Sequence, residues 1–137
     1  MAEMNDFNAK IIEDFRAHNG KVGGQFEGAP MVLLTTVGAK SGHQRTTPLV
    51  YLPDGERVVI FASKAGAPTN PDWYHNIVAN RAVIVEVGTD RYGATAEVVE
   101  GDERDRLFAA QVAAMPGFKD YQDNTTRVIP VVALVRS

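Results

Sequence analysis

The chain contains no cysteine. That excludes disulfides, thiolate nucleophiles, thiolate metal sites and iron–sulfur clusters together. No apolar run approaches the roughly 20 residues of a membrane-spanning helix, so no integral membrane segment is expected. The opening Met1-Ala2-Glu3-Met4-Asn5-Asp6-Phe7 has no basic stretch followed by an apolar one, so it reads as no secretory leader and points to the cytoplasm. Positive charge is not in excess: 14 Lys and Arg stand against 17 Asp and Glu, for a formal charge of −3. That balance argues against a nucleic-acid binder. The three histidines, His18, His43 and His75, lack a metal-ligand spacing with nearby carboxylates, so no metal is expected. Neither a P-loop nor a Gly-x-Ser-x-Gly nucleophile turn occurs.

What is present is ordinary for a globular domain: 137 residues, 45% apolar and 23% charged. One domain spanning 1–137 is expected, able to bury a core without covalent staples. A helix is predicted over Asp6–His18, where Phe7, Ile11, Ile12 and Phe15 share a face, with Gly20 as its stop. Met31–Val37 reads as a strand buried on both faces, and Gln44–Leu52 and Arg57–Ser63 as a hairpin around Pro53-Asp54-Gly55. Asn70 as cap and Pro71 at the first position open a predicted helix to Ala79. Ala82–Val87 and Arg91–Val99 form a second hairpin around Gly88-Thr89-Asp90. A helix from Gly101 to Ala114 stops at Met115-Pro116-Gly117. Val128–Val135 is the last strand, with Pro130 suggesting an edge or a bulge. The expected architecture is mainly β (α+β). About six strands form a closed or nearly closed antiparallel barrel over 31–135, flanked by two to three helices, the first within 1–20. Two packed β-layers are the alternative.

Three segments concentrate chemistry. Lys40-Ser41-Gly42-His43-Gln44-Arg45-Thr46-Thr47 carries two permanent cations and three hydroxyls, with a glycine that lets backbone amides approach an anion. A solvated hairpin turn accounts for the same residues. Ala62-Ser63-Lys64-Ala65-Gly66-Ala67 lies where a buried strand empties into a loop, with small neighbours that leave room for a flat ligand. An ordinary surface lysine explains Lys64 equally well. Asn70-Pro71-Asp72-Trp73-Tyr74-His75-Asn76 starts a helix whose positive end could face an anion, while Trp73 packs the helix on the barrel. With no acid–base pair, nucleophile or metal cage, this set suits an enzyme whose cofactor carries the chemistry.

Taken in order, these segments resemble the deazaflavin-dependent nitroreductase family of actinobacteria. The match runs from Leu34-Thr35-Thr36-Val37-Gly38-Ala39-Lys40-Ser41-Gly42 through Arg45-Thr46-Thr47-Pro48-Leu49 and Tyr51-Leu52-Pro53-Asp54-Gly55. It continues through 62–67 and 70–76 to Val128-Ile129-Pro130-Val131-Val132. The resemblance implies a split β-barrel like that of the flavin-mononucleotide oxidoreductases, and coenzyme F-420, a phosphorylated 8-hydroxy-5-deazaflavin with an oligoglutamate tail. It implies that Lys40, Ser41, Gly42, Arg45, Thr46 and Thr47 hold the phosphate side. Pro48, Ala62, Ser63 and Lys64 would line the ring. Ala65, Gly66, Ala67, Asn70, Pro71, Trp73 and Tyr74 would lie along the ring and ribityl chain. It further implies an acceptor pocket drawn from Phe7, Phe15, Phe118 and Tyr121, with Tyr121 as the catalytic proton donor. Hydride would pass to a small conjugated acceptor such as a quinone, an enone or a nitroaromatic. Only one tyrosine, Tyr121, stands in the segment where nitro-reducing relatives carry several. A flavin-mononucleotide enzyme on the same barrel is the first alternative, and a barrel that carries a cofactor, lipid or haem without catalysis is the second. A homodimer and peripheral membrane association are left open.

Overall fold

The computed structural model describes residues 6–22, 30–66 and 69–137, with the backbone alone at 6–8 and 65. In chain order its elements are α1 (Asp6–Ala17), β1 (Met31–Val37), β2 (Gln44–Val50), β3 (Leu52–Asp54), β4 (Arg57–Phe61) and a 3-10 turn (Lys64–Gly66). There follow α2 (Asp72–Ala79), β5 (Ala82–Val87), β6 (Asp90–Val99), α3 (Gly101–Ala114), α4 (Gly117–Asp123) and β7 (Val131–Arg136).

The strands form one antiparallel sheet in the order β2-β1-β5-β6-β7-β4-β3. Its two terminal strands, β2 and β3, are successive stretches of one chain parted only by Tyr51. The first stretch pairs with β1, from Met31↔Val50 to Val37↔Gln44. The second pairs with β4, from Leu52↔Val59 to Asp54↔Arg57. A sheet whose ends are covalently joined must curl, which gives the expected split barrel.

The expectation of about six strands gives way to seven among the described residues because the predicted 44–52 strand changes partner at Tyr51. Helices number four rather than two or three among the described residues: Gly117–Asp123 is helical although only Phe118 and Tyr121 supply it with large apolar surface. β7 is central, not an edge, and starts at Val131, so Pro130 stands just outside the ladder where its missing N–H costs nothing.

Alternation along the strands sorts the apolar residues. Val32 and Leu34 of β1, Val58 and Ile60 of β4, and Val132 and Leu134 of β7 meet inside the barrel. Met31 and Leu33 point outward beneath Ile11, Ile12 and Phe15 of α1. Val59, Phe61, Val131 and Ala133 point outward beneath Leu107 and Phe108 of α3 and Phe118 of α4. Helices on the outer face explain why these strands read as continuous apolar runs. Trp73 and Ile77 of α2 join the interior cluster, so α2 packs on the barrel as expected. Among the described residues no helix is long and apolar enough to cross a membrane.

Arg57 donates to Asp54 across the β3–β4 turn and to Glu103 of α3 at 3.3 Å. This bond from Arg57 holds the Asp54 carboxyl below its usual range. A depressed folded-state value stabilises the fold above the unfolded value, near ~3.9, and that contribution is lost as pH falls through the folded one. Asp54→Asn should therefore lower unfolding free energy at neutral pH by about 1 kcal/mol or less, since the pair is half-exposed. Chemical denaturation of both proteins against pH should show the difference vanish in acid.

Candidate active site

The three chemistry-bearing segments are brought together by two polar side chains. Asn76 of α2, 7% exposed, donates from Nδ2 to Thr36 Oγ1 at 3.1 Å, and its Oδ1 accepts the Ala39 N–H at 2.9 Å. This ties the third segment to the first. The turn after β1 is closed by its own backbone, with Gly38 N donating to His43 O at 2.8 Å and Gly42 N to Gly38 O at 3.0 Å. Ser41 Oγ accepts from His43 N at 3.1 Å, which leaves its O–H as a donor. Between this turn and α2 lies a groove of about 600 Å³, lined by Lys40, Ser41 and Arg45 on one side and Asp72, His75 and Asn76 on the other.

The second tie is Arg127. Its guanidinium donates to Ala62 O at 2.9 Å, Ser63 O at 2.6 Å and Asn70 Oδ1 at 2.8 Å. It joins the end of β4 to the start of α2. Burial pushes this guanidinium below its usual value, yet arginine starts so high that it stays cationic. The bond to Asn70 also corrects an expectation. Asn70 does not cap α2: Pro71 occupies the cap position and no side chain caps the helix, because the Asn70 amide is drawn to Arg127 instead.

The split of the barrel separates two of the sequence segments. Continuing the β3–β4 register past Leu52↔Val59 would set Pro48 opposite Ser63 and Thr47 opposite Lys64. β2 turns to β1 instead, and among the described residues no ladder joins β2 to β4. The 47–50 and 61–64 stretches thus form two banks. Along β2, alternation divides the predicted run. Arg45 and Thr47 oppose Thr36 and Leu34, on the face of the barrel interior, whereas Thr46 and Pro48 oppose Thr35 and Leu33, on the α1 side. Thr46 Oγ1 lies 2.8 Å from Thr35 Oγ1.

Ala62 is fully buried, and Lys64 is exposed in the left-handed region at φ 47, where its Nζ donates to Thr69 Oγ1 at 3.3 Å. Such a conformation in a non-glycine residue costs of order 1 kcal/mol and is held by its surroundings. Gly66 has φ +81, and a Cβ there would stand 2.9 Å from Tyr121 O and 3.2 Å from Tyr121 Cα. Only glycine lets α4 rest on this turn. Tyr121 therefore adjoins the second segment, half-buried, its ring 5.1 Å from that of Phe118. Trp73 is 5% exposed, and Tyr74 packs partly against the same interior cluster.

The expected acceptor residues do not converge. Phe15 lies in the α1 cluster, while Phe118 and Tyr121 belong to the α3–α4 side. The resemblance puts Phe118 in the acceptor pocket. It is 8% exposed, edge-on to Phe61 at 5.8 Å, because the α4 turn directs it onto the outer face of β4. The Phe7 and Ala65 side chains and the whole of Ala67 lie outside the described residues.

The groove suits a phosphate- and carboxylate-bearing ligand. It sets an ammonium, a guanidinium and a hydroxyl donor beside Gly42, which at φ +73 has open space where a Cβ would project. Asp72 puts one carboxylate on the opposite wall.

The sequence profile described as F420H(2)-dependent quinone reductase matches residues 9–136. The chain belongs to that family. It is 42% identical over 126 residues to an F420H(2)-dependent quinone reductase of Mycobacterium tuberculosis, covering 89% of this chain and 85% of the relative. A solved F420-H2-dependent reductase shares 40% identity at a TM-score of 0.71, covering 77% of this chain and 93% of that one. A chain solved as a domain-swapped dimer shares 36% identity at a TM-score of 0.73, covering 92% of each. Membership makes this protein an oxidoreductase that works with coenzyme F-420, in line with the resemblance read from 34–76.

Asn76→Ala should detach the Lys40 turn from α2 and strand the Thr36 hydroxyl, which is 1% exposed. A loss of about 1–3 kcal/mol is expected, measured by urea unfolding, with Asn76→Asp intermediate because it keeps the acceptor for Ala39 N.

Proposed function

We propose that this protein binds reduced coenzyme F-420 with its phosphate at the Lys40 turn and its ring along the split, and reduces a small quinone there. The observation that carries the reading is the groove between that turn and α2, with Lys40, Ser41 and Arg45 on its wall. When bound, the coenzyme supplies a hydride.

The chain's own residues supply binding and orientation. Arg45 offers a planar fork to phosphate oxygens, and Lys40 adds a less directional charge. The Gly42 turn gives backbone amides access, with the Thr47 hydroxyl next on the Arg45 face of β2, while Thr46, turned to the α1 side, braces the strand through Thr35. Pro48 and Ala62–Lys64, on the two banks of the split, line the ring. Gly66, Asn70, Pro71, Trp73 and Tyr74 follow along the ring and ribityl chain. Tyr121 holds a proton at its phenolic Oη for the reduced acceptor, beside the turn that Gly66 lets α4 approach. Phe118 braces Tyr121 from the core. Quinones lead the acceptors because that is what the named relatives reduce. The domain works in the cytoplasm, without nucleic-acid partners, and the domain-swapped relative supports a homodimer.

The test is a spectroscopic titration with oxidised coenzyme F-420, then with flavin mononucleotide. The deazaflavin should bind at micromolar or lower concentration and the flavin far more weakly; the reverse order would overturn the reading in favour of a flavin enzyme. Arg45→Ala should weaken deazaflavin binding by about ten- to a hundredfold, with Arg45→Lys recovering part of it. Added salt should weaken the wild type more than Arg45→Ala. Unchanged affinity in folded Arg45→Ala would leave the turn as a solvated hairpin.

A second prediction separates Tyr121 from cofactor binding. Tyr121→Phe should slow menadione reduction at saturating coenzyme by roughly a hundredfold, with the coenzyme dissociation constant nearly unchanged. A small effect on the rate would make Tyr121 a packing residue.

A further inference from the structure

The end of β4 departs from strand geometry at one peptide, whose carbonyl, that of Ser63, is held by two donors: the Gly66 N–H of the 3-10 turn at 2.9 Å and the Arg127 guanidinium. Ala62 behaves as a strand residue. Its N–H donates to Pro130 O at 2.9 Å and its carbonyl accepts from Arg127 at 2.9 Å, so both groups face the β7 side. In a regular strand the N–H and C=O of the next residue, Ser63, would both face the opposite side. The Ser63 carbonyl instead meets Arg127 Nη2 at 2.6 Å, on the β7 side. The 63–64 peptide is therefore reversed, and Lys64 takes φ 47 directly after it.

A trans peptide is planar, so an N–H points away from the carbonyl that precedes it. With the Ala62 and Ser63 carbonyls both turned to one guanidinium, the Ser63 and Lys64 N–H groups both turn away from it. They face the side of the split and β2. Two successive amides aimed at one place form a concavity for an oxygen that carries lone pairs or negative charge.

Arg127 is itself fixed from behind. Gln122 of α4 donates from Nε2 to Arg127 O at 2.7 Å, and its Oε1 accepts from Ile129 N at 3.0 Å and from Arg104 Nη2 at 2.9 Å. Arg104 also donates from Nη2 to Ile129 O at 2.9 Å. The same helix carries Tyr121, so one network sets both the amide pair and the segment beside it.

We propose that Arg127 is a positioning residue: by holding the Ala62 and Ser63 carbonyls on one side, the second jointly with the Gly66 N–H, it presents two backbone N–H donors across the split to a carbonyl oxygen of the bound coenzyme. This rests on the reading that the 62–66 stretch lines the deazaflavin. A lysine cannot replace the arginine here, because an ammonium is a point donor and does not span two carbonyls and an amide oxygen in one plane.

Full-length wild type, Arg127→Lys and Arg127→Ala are titrated with coenzyme F-420, with thermal melting as the control for folding. Arg127→Lys should melt near the wild type yet bind about tenfold or more weakly. Guanidinium chloride at non-denaturing concentration should restore part of the affinity of Arg127→Ala, and sodium chloride at equal ionic strength should not. In wild type, the amide proton resonances of Ser63 and Lys64 should shift downfield on coenzyme addition, beyond those of Val58 and Val59. Coenzyme affinity in Arg127→Lys within about twofold of wild type, or unmoved Ser63 and Lys64 resonances in a saturated wild type, overturns the proposal. A wild type that does not bind the coenzyme overturns the preceding reading instead.

Discussion

One strand that changes partners part-way sets the form of this protein. A stretch of backbone has two edges, and the chain from Gln44 to Asp54 gives its first part to β1 and its second to β4. Tyr51 is the residue between. Because the sheet begins and ends on this one chain, it curls; because the two parts pair on different sides, the curl leaves a split. Strand ends and turns that would lie buried in a fully laddered barrel are left able to meet a ligand.

Hydrophobic burial closes the barrel but does not place the site. Val32, Leu34, Ile60, Val85 and Leu134 are fully buried and interchangeable in kind. Placement falls to hydrogen bonds with fixed geometry. Asn76 reads Thr36 and Ala39 with the two ends of one amide. Arg127 reads two carbonyls and Asn70 with one planar fork. Each group is partly or wholly buried, so leaving a partner unmet is costly and the arrangement is held firmly. Among the described residues every buried side-chain nitrogen and oxygen has a hydrogen-bond partner.

The groove at the Lys40 turn is cationic on one wall and mixed on the other. Asp72 sits in the first turn of α2, where a carboxylate is favoured by the helix end. Its charge opposes that of an anionic ligand and weakens the field of Lys40 and Arg45 in the groove. Affinity at such a site comes from directed hydrogen bonds more than from net charge, in keeping with a chain whose formal charge is −3.

Local sequence carried the strands apart from the break at Tyr51, the two hairpins and three of the four helices among the described residues, because periodicity and turn chemistry act within a few residues. Met31–Val37 and Ala82–Val87 end where their patterns end. The ordered run of motifs from 34 to 76, with 128–132, also carried the family and its coenzyme. Locally invisible features depended on residues distant in the chain. Gly117–Asp123 has too little apolar surface to announce a helix, and becomes one because Phe118 finds Phe61 on β4. Asn70 looks like a helix cap until Arg127, 57 residues on, takes its side chain. Arg127 itself stands one residue before the Val128–Val132 stretch, outside the three segments that concentrate chemistry, and its acceptors at Ala62 and Ser63 are backbone atoms that any sequence would offer. By itself the sequence determined most of the elements, their turns and, through the family resemblance, the coenzyme. Only the tertiary structure decided where β2 changes partner, which faces Arg45 and Pro48 take, and which carbonyls Arg127 holds, because these follow from contacts between segments that local propensity does not link.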